Sequence, residues 1–183
     1  MVQIPTFKNP KYLNLALSHS SIYSDRADRQ NHIGNDERLE VFGDCILSTT
    51  ISQLAYEKFG DQLTPDLLEQ LHKNLCSNHR LCEFAGMLKL QNLIYARIPF
   101  INVKDMANIF MALLAAIIID RGRDVAVDFI RKLIGPIMDD LVEDGNFIGI
   151  HIKDTILMNE KIPIKNVIKV NDQNEFSINN NKL

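Results

Sequence analysis

The chain has 183 residues, of which 46% are hydrophobic, and its formal net charge is −3. This length and hydrophobic share are enough to bury one sizeable core, so a single folded domain is expected. The slightly acidic balance excludes a globally basic nucleic-acid-binding protein, and an RNA contact would need a local basic patch or a basic partner. No apolar run has the length of a membrane-spanning helix, so no membrane contact is expected.

Helical periodicity dominates the chain, and no internal repeat is present. Pro10 opens a short helix, and a long helix is predicted to end at Phe59, where Gly60 is a stop signal. Thr64 and Pro65 are typical of the cap and first position of the next helix. Three more helices are predicted, at about residues 81–88, 105–119 and 125–141. The predicted fold class is therefore all-α.

The three cysteines, Cys45, Cys76 and Cys82, are an odd number, and each lies in a helical pattern. Their spacing does not match that of a metal site. We therefore expect free thiols in a reducing or matrix compartment.

The densest chemical signal lies at residues 37–44. Read as a helix, it places Glu37, Glu40 and Asp44 at i, i+3 and i+7, so that three carboxylates line one face. Oxygen ligands favour a hard cation such as Mg²⁺, whereas a merely solvated acidic face is the alternative on spacing alone. The opposite, core-facing stripe is predicted to consist of Leu39, Phe42, Ile46 and Leu47.

The run from Glu37 to Asp44 reads E-R-L-E-V-F-G-D and resembles the signature helix of the ribonuclease III family, E-R-L-E-F-[LV]-G-D. Residues 16–21 are similar to the family element A-L-T-H-[RK]-S, and residues 63–90 to a further helical region. Ser20 stands where the family commonly has Arg or Lys. The resemblance implies an all-α ribonuclease III-type endonuclease domain that forms a helical dimer.

The resemblance also implies roles for individual residues. Glu40 and Asp44 correspond to two of the four acids that hold Mg²⁺ for phosphodiester hydrolysis, and Glu37 to a residue of the dimer seam. We predict that the seam contains Glu37, Arg38, Leu39 and Phe42. By contrast, His19 is interpreted from its position as a helix-end residue that makes local hydrogen bonds, not as a catalytic group.

The second acidic motif departs from the family pattern. Residues 107–122 match it in register, but its two acidic positions hold Asn108 and Met111. A thioether is a poor ligand for Mg²⁺, and removing two negative charges predicts a metal site weakened by orders of magnitude. Asp105 lies one turn before Asn108 and is not expected to substitute. We therefore expect Glu40, Asp44 and these two positions to be vestigial.

The departure is similar to that of the ribonuclease III-like proteins of the fungal mitochondrial large ribosomal subunit. The hypothesis is thus a catalytically inactive structural protein of that subunit, in the mitochondrion, with the cytoplasm or nucleus as the alternative. Its expected partners are a second copy or a related ribonuclease III-like chain, ribosomal or other structured RNA, and ribosomal proteins; no cofactor is expected. Residues 1–145 would form the domain and residues 146–183 an extension with a short strand near 167–170, without a double-stranded-RNA-binding domain.

Two alternatives stay open. One is an active minimal ribonuclease III that cleaves double-stranded RNA with Mg²⁺ held by Glu40 and Asp44. The other is an inactive dimer partner in an RNA-processing complex.

Overall fold

The computed structural model describes residues 2–23, 37–143, 146–148 and 160–168. Its helices are α1 (Pro10–Ala16), α2 (Glu37–Phe59), α3 (Pro65–Leu75), α4 (Asn78–Met87), α5 (Val103–Arg121) and α6 (Arg123–Leu141). Short 3₁₀ turns occupy Ser20–Tyr23, Gly60–Gln62 and Leu90–Asn92. The predicted all-α fold class is confirmed.

Within the described ranges, six two-residue strands pair in small ladders. They are β1 (Tyr95–Ala96), β2 (Phe100–Ile101), β3 (Val142–Glu143), β4 (Asn146–Phe147), β5 (Ile162–Pro163) and β6 (Asn166–Val167). β1 pairs with β6 in parallel, whereas β2 pairs with β5 and β3 with β4 in antiparallel fashion. The chain after α6 therefore returns to the connection between α4 and α5.

Local sequence explains most helix ends. The Thr64 hydroxyl accepts a hydrogen bond from the Leu67 amide at 3.1 Å and caps α3, as predicted. Gly60 and Gly122 follow α2 and α5 with positive φ, which glycine adopts without strain. At the end of α5, the Asp120 carboxylate accepts backbone hydrogen bonds from residues 8 and 9 and fixes the start of α1.

Helix α5 is the centre of the core. It packs against α1, α2, α4 and α6, and its side chains from Ala112 to Ile117 are fully buried. A helix enclosed on all sides needs apolar residues around its whole circumference, which accounts for the uninterrupted apolar run. Among the described helices, none is long and apolar enough to span a membrane.

The described C-terminal segment also contributes to the core through Ile164, which is 7% exposed. β6 spans Asn166–Val167 and overlaps the strand predicted near residues 167–170 at residue 167. Residues 169 and 170 lie outside the described part of the chain.

Candidate active site at a helix crossing

Helices α2 and α5 cross in direct backbone contact at Gly43. A Cβ atom placed on Gly43 would lie 1.9 Å from the carbonyl oxygen of Met111 and 3.0 Å from its Cα. Only glycine allows this approach, which explains its place in the signature helix. Leu39, one turn earlier, is buried against alanines of α5. The crossing therefore brings the turn at residues 40–44 against the turn at 108–111.

The four positions that correspond to the family's metal-binding acids thus lie on the two turns that meet at this crossing. Glu40, Asn108 and Met111 are half-buried, and Asp44 is exposed. Throughout the described ranges, no group of three or more His, Cys, Asp or Glu side chains is suited to a metal ion. The donor set is two carboxylates, one amide and one thioether. The thioether is a poor ligand for Mg²⁺, so only the two carboxylates and the amide could contribute to a hard ion, which would take its remaining ligands from water and substrate phosphate.

A polar stripe extends from these carboxylates along α2. Glu40, Asp44, Ser48 and Ser52 are spaced four residues apart and so lie on one face. His72 of α3 adjoins the stripe, with its Nε2 at 3.0 Å from the Ser52 hydroxyl and its Nδ1 at 3.5 Å from the Ser48 hydroxyl. Burial lowers the pKa of His72, and the negative charge of Asp44 partly opposes that shift.

The histidine was not singled out by sequence reasoning. The four-residue spacing of the stripe was visible in the sequence, but its contact with α3 was not, since that contact depends on how the two helices pack.

His19 lies shortly after the end of α1 and is buried. Its Nδ1 accepts a hydrogen bond from the Ser21 amide at 3.1 Å, so the neutral ring carries its proton on Nε2. That Nε2 lies 3.4 Å from the carboxylate of Asp105. The local hydrogen bonds expected for His19 are present, and the contact with α5 is a further one. The Ser21 hydroxyl in turn accepts a hydrogen bond from the Arg97 amide at 2.9 Å.

Asp105 has two structural tasks. Its carboxylate accepts from the backbone of Asn102 in a capping box, and it pairs with His19. The hydrogen bond from His19 is the main cause that holds the pKa of Asp105 below its ordinary value, against the opposing effect of burial. This carboxylate is therefore engaged at the start of α5, which agrees with the expectation that it does not substitute for a missing metal ligand.

The residues predicted for the dimer seam have different surroundings. Glu37, Arg38 and Phe42 are exposed, whereas Leu39 is buried in the core of its own chain. Phe42 is 41% exposed, so the prediction that it belongs to the core-facing stripe is wrong. The reason is that the crossing at Gly43 fixes the buried face along residues 39, 43 and 47, which turns position 42 outward. Val41 beside it is 66% exposed.

The cysteines are free thiols in distinct environments. Cys45 is exposed, Cys76 is half-buried and Cys82 is buried. Burial is the main cause that raises the pKa of Cys76 and of Cys82 to about 11. The Asp44 charge adds to the shift at Cys76, which places Asp44 on the side of α2 that faces α3.

Comparisons with known proteins place the chain in a family. A family profile described as Ribonuclease-III-like matches residues 9–137. The chain is 30% identical to Ribonuclease 3 of Geobacillus kaustophilus over 141 residues, which cover 74% of this chain and 56% of that protein. It is 33% identical to Ribonuclease 3 of Ehrlichia chaffeensis over 130 residues, 68% of this chain and 55% of that one. The chain thus spans little more than half the length of these relatives.

The fold has a solved counterpart. A nuclease domain of ribonuclease III from Campylobacter jejuni superposes with a TM-score of 0.61 and 22% identity, covering 72% of this chain and 90% of that one. That structure is described by flexibility in a region involved in dimer formation.

The relatives correct the functional hypothesis. The interpretation as a catalytically inactive component of the mitochondrial large ribosomal subunit is wrong, because the matching relatives are bacterial proteins named Ribonuclease 3. The ribosomal partners have no support from these matches. The domain boundary at residue 145 and the mitochondrial localisation stay predictions. The matched profile covers most of the helical core, and we conclude that the chain belongs to the ribonuclease III-like family.

Proposed function

We propose that the protein is a ribonuclease III-type endonuclease that cleaves double-stranded RNA with a reduced set of metal ligands. The observation that carries this proposal is the crossing at Gly43, which places Glu40 and Asp44 beside the turn at residues 108–111. The names of the bacterial relatives support it, and so does the Mg²⁺ site that the resemblance of residues 37–44 to the family signature implies.

We assign a different role to each group of residues at the crossing. Glu40 and Asp44 would hold Mg²⁺ from one helical face, and the Asn108 side chain would offer a neutral oxygen from the facing helix. When bound, the ion supplies activation of water and stabilisation of charge that develops on phosphate. His72 and the two serines of the polar stripe present hydrogen-bonding groups next to Asp44, where they can orient an RNA phosphate.

A dimer is part of this proposal. Val41 and Phe42 expose apolar area on the outward side of α2, beside the charged Glu37 and Arg38. An apolar centre with a charged rim is typical of a protein–protein interface. We infer that a second copy of the chain covers this face, and that Phe42→Glu yields a monomer in sedimentation velocity experiments at concentrations where the natural protein is a dimer.

The direct test is incubation of the purified protein with long double-stranded RNA in Mg²⁺ and, separately, in Mn²⁺. The natural protein should cut, whereas Glu40→Gln and Asp44→Asn should not, because each variant removes one of two anionic ligands. Circular dichroism and melting curves of the variants would establish that the fold is kept. A natural protein that leaves the RNA intact under both metals would overturn the proposal.

The absence of a third acidic ligand in the described residues favours a second candidate function. In this reading the chain serves as the dimer partner of a related, active nuclease in an RNA-processing complex. It predicts that the purified chain is inert alone, and that Phe42→Glu abolishes its association with that partner.

A further inference from the structure

In the described chain, the segment between α4 and the start of α5 carries three basic side chains. Residues 88–104, which comprise the α4–α5 connection and the first two residues of α5, contain Lys89, Arg97 and Lys104 and no Asp or Glu, and Asp105 follows directly. The described C-terminal segment, residues 160–168, adds two lysines to this connection and is called the strap below. By contrast, α2 and α6 each carry more acidic than basic residues. An RNA contact by this slightly acidic chain needs such a local basic patch or a basic partner.

Backbone pairing fixes the strap on this connection. The amide of Ile164 donates to the carbonyl of Pro99 at 2.9 Å, and the amide of Ile168 donates to that of Ala96 at 2.8 Å. The Asn166 side chain donates to the carbonyl of Asn92 at 2.9 Å. These bonds join the strap to the segment that contains β1 and β2. Backbone pairing therefore holds the strap along the α4–α5 connection.

The side chains of the strap alternate between the core and solvent. Ile162 is half-buried and Ile164 is buried, whereas Lys161, Pro163 and Lys165 are exposed. This is the two-residue period of a strand with one buried face. The isoleucines therefore hold the strap in place while the two lysines extend into solvent.

The pairing register gathers the lysines with those of the connection. Ile162 lies opposite Ile101, so Lys161 and Lys104 come to the same end of this ladder. The amide of Lys165 donates to the carbonyl of Gln91, which places it beside the turn that follows Lys89.

Asp105, Glu83 and Glu160 are acidic groups near this face, and Asp105 interacts with Lys104. Asp105 is engaged by His19 and the helix cap. The negative charge of Glu160 contributes to the raised pKa of Cys82, which lines the cavity of about 230 Å³ beneath the strap.

We propose that the strap and the α4–α5 connection together form an RNA-binding face that contacts the phosphate backbone. Clustered lysines neutralise phosphates and release counterions, and this effect supplies most of the sequence-independent affinity for nucleic acid. The face lies apart from the crossing, because Met106, which borders the strap, and Asn108 are on different sides of α5. It would grip RNA that extends beyond the cleavage site. The inference rests on the proposed action on RNA, but not on cleavage itself.

The test measures RNA affinity in EDTA, so that cleavage plays no part. Binding of a fluorescent 30-base-pair RNA is recorded over a series of salt concentrations for the natural full chain and for Lys161→Gln/Lys165→Gln. The matched control is Lys58→Gln/Lys132→Gln, which removes two charges that pair with Asp139 and Asp128 elsewhere. Loss of two phosphate contacts should weaken binding about fivefold or more near 0.1 M salt and lower the slope of log K against log salt by about 1.5 to 2. The control should change neither quantity.

Equal effects in both double variants would show that only net charge matters and would overturn the proposal, as would an unchanged slope in the strap variant. Ile164→Ser gives an independent check, since loss of the buried isoleucine should release the strap and weaken RNA binding at least as much while the helical content is kept. Binding that depends on the strap in a protein that never cuts would reject the proposed endonuclease but support this face. If the natural protein cleaves RNA and the strap variants bind RNA as tightly as the natural protein, the endonuclease is supported and the RNA-binding face is rejected.

Discussion

The two helices that meet at the candidate active site contribute different ligand groups to it, although they share one close backbone contact. Helix α2 keeps both carboxylates of its turn, Glu40 and Asp44, whereas the facing turn of α5 holds Asn108 and Met111. Yet the backbones approach as closely as a glycine allows. The packing of the crossing is thus set by small residues and does not depend on the ligands that flank it. The ligand set can change without loss of the fold, and each half can be tested separately.

The crossing itself should be the most sensitive point. Gly43→Ala places a methyl group against the carbonyl oxygen of Met111, at a distance where backbone must move. Overpacking of this kind costs about 3 kcal/mol or more of the free energy of unfolding, measured by urea denaturation. Gly86→Ala is the control, because its Cβ would meet nothing within 4 Å in α4 and should stabilise the protein by up to about 1 kcal/mol. Similar midpoints for the two variants would show that the close approach is not a constraint.

The α5 half of the site should respond to restored charge. Asn108→Asp/Met111→Glu returns two anionic ligands, and we expect cleavage of double-stranded RNA at subsaturating Mg²⁺ to increase about 10- to 100-fold. Asn108→Ser/Met111→Gln is the matched control, because it alters the same side chains without adding charge. The rates are measured in single-turnover reactions. If both double variants cut at the same rate, the two acids are not what the α5 half lacks.

The contrast between the halves also shows what sequence could predict. The signature helix, its end at Phe59 and the cap at Thr64 follow from local signals, and the structure confirms them. The outward orientation of Phe42 could not be derived from apolar spacing, because Gly43, which carries no side chain, defines the buried face.

Contacts between distant segments were equally out of reach. The pairing of His19 with Asp105 and the return of the strap to β1 and β2 depend on tertiary packing, which hydrophobic periodicity does not encode. The second acidic motif was readable residue by residue, but from its substitutions a wrong function was inferred, since the ligand count alone does not define what a family member does.

The start of α5 offers a pH-dependent test of such a distant contact. The lowered pKa of Asp105 means that its pairing stabilises the fold above the ordinary carboxyl value near 3.8 and that this stability is lost as the pH falls through the lowered value. Asp105→Asn should therefore cost about 1 kcal/mol at neutral pH and progressively less as the pH falls below 3.8, as measured by urea midpoints. His19→Gln should remove most of the same difference. A cost for Asp105→Asn that is independent of pH would mean that capping, not the pair, accounts for it.

The smallest effect concerns the outward side of α2, where the reactivity of the exposed Cys45 can be compared with that of the less exposed Cys76 and Cys82 on other elements. Cys45 is exposed and lies three residues after Phe42, so it shares the side proposed to be covered in the dimer. Its reaction with Ellman's reagent should slow severalfold as protein concentration rises through the dimerisation range. Cys76 and Cys82 should react slowly at every concentration, because with a pKa of about 11 only about one thiol in a thousand is ionised at pH 8.

The Phe42→Glu variant tests whether slow labelling of Cys45 is caused by a second copy of the chain that covers this thiol. In this monomeric variant, Cys45 should react with Ellman's reagent at the same rate at all protein concentrations. Cys76 and Cys82 should still react slowly. If the natural protein labels Cys45 equally fast when dilute and when concentrated, the exposed apolar area at Val41 and Phe42 is not covered by a second copy. In that case the dimer must use another surface, and the turn that carries Glu40 and Asp44 would be open to RNA from the side of Phe42.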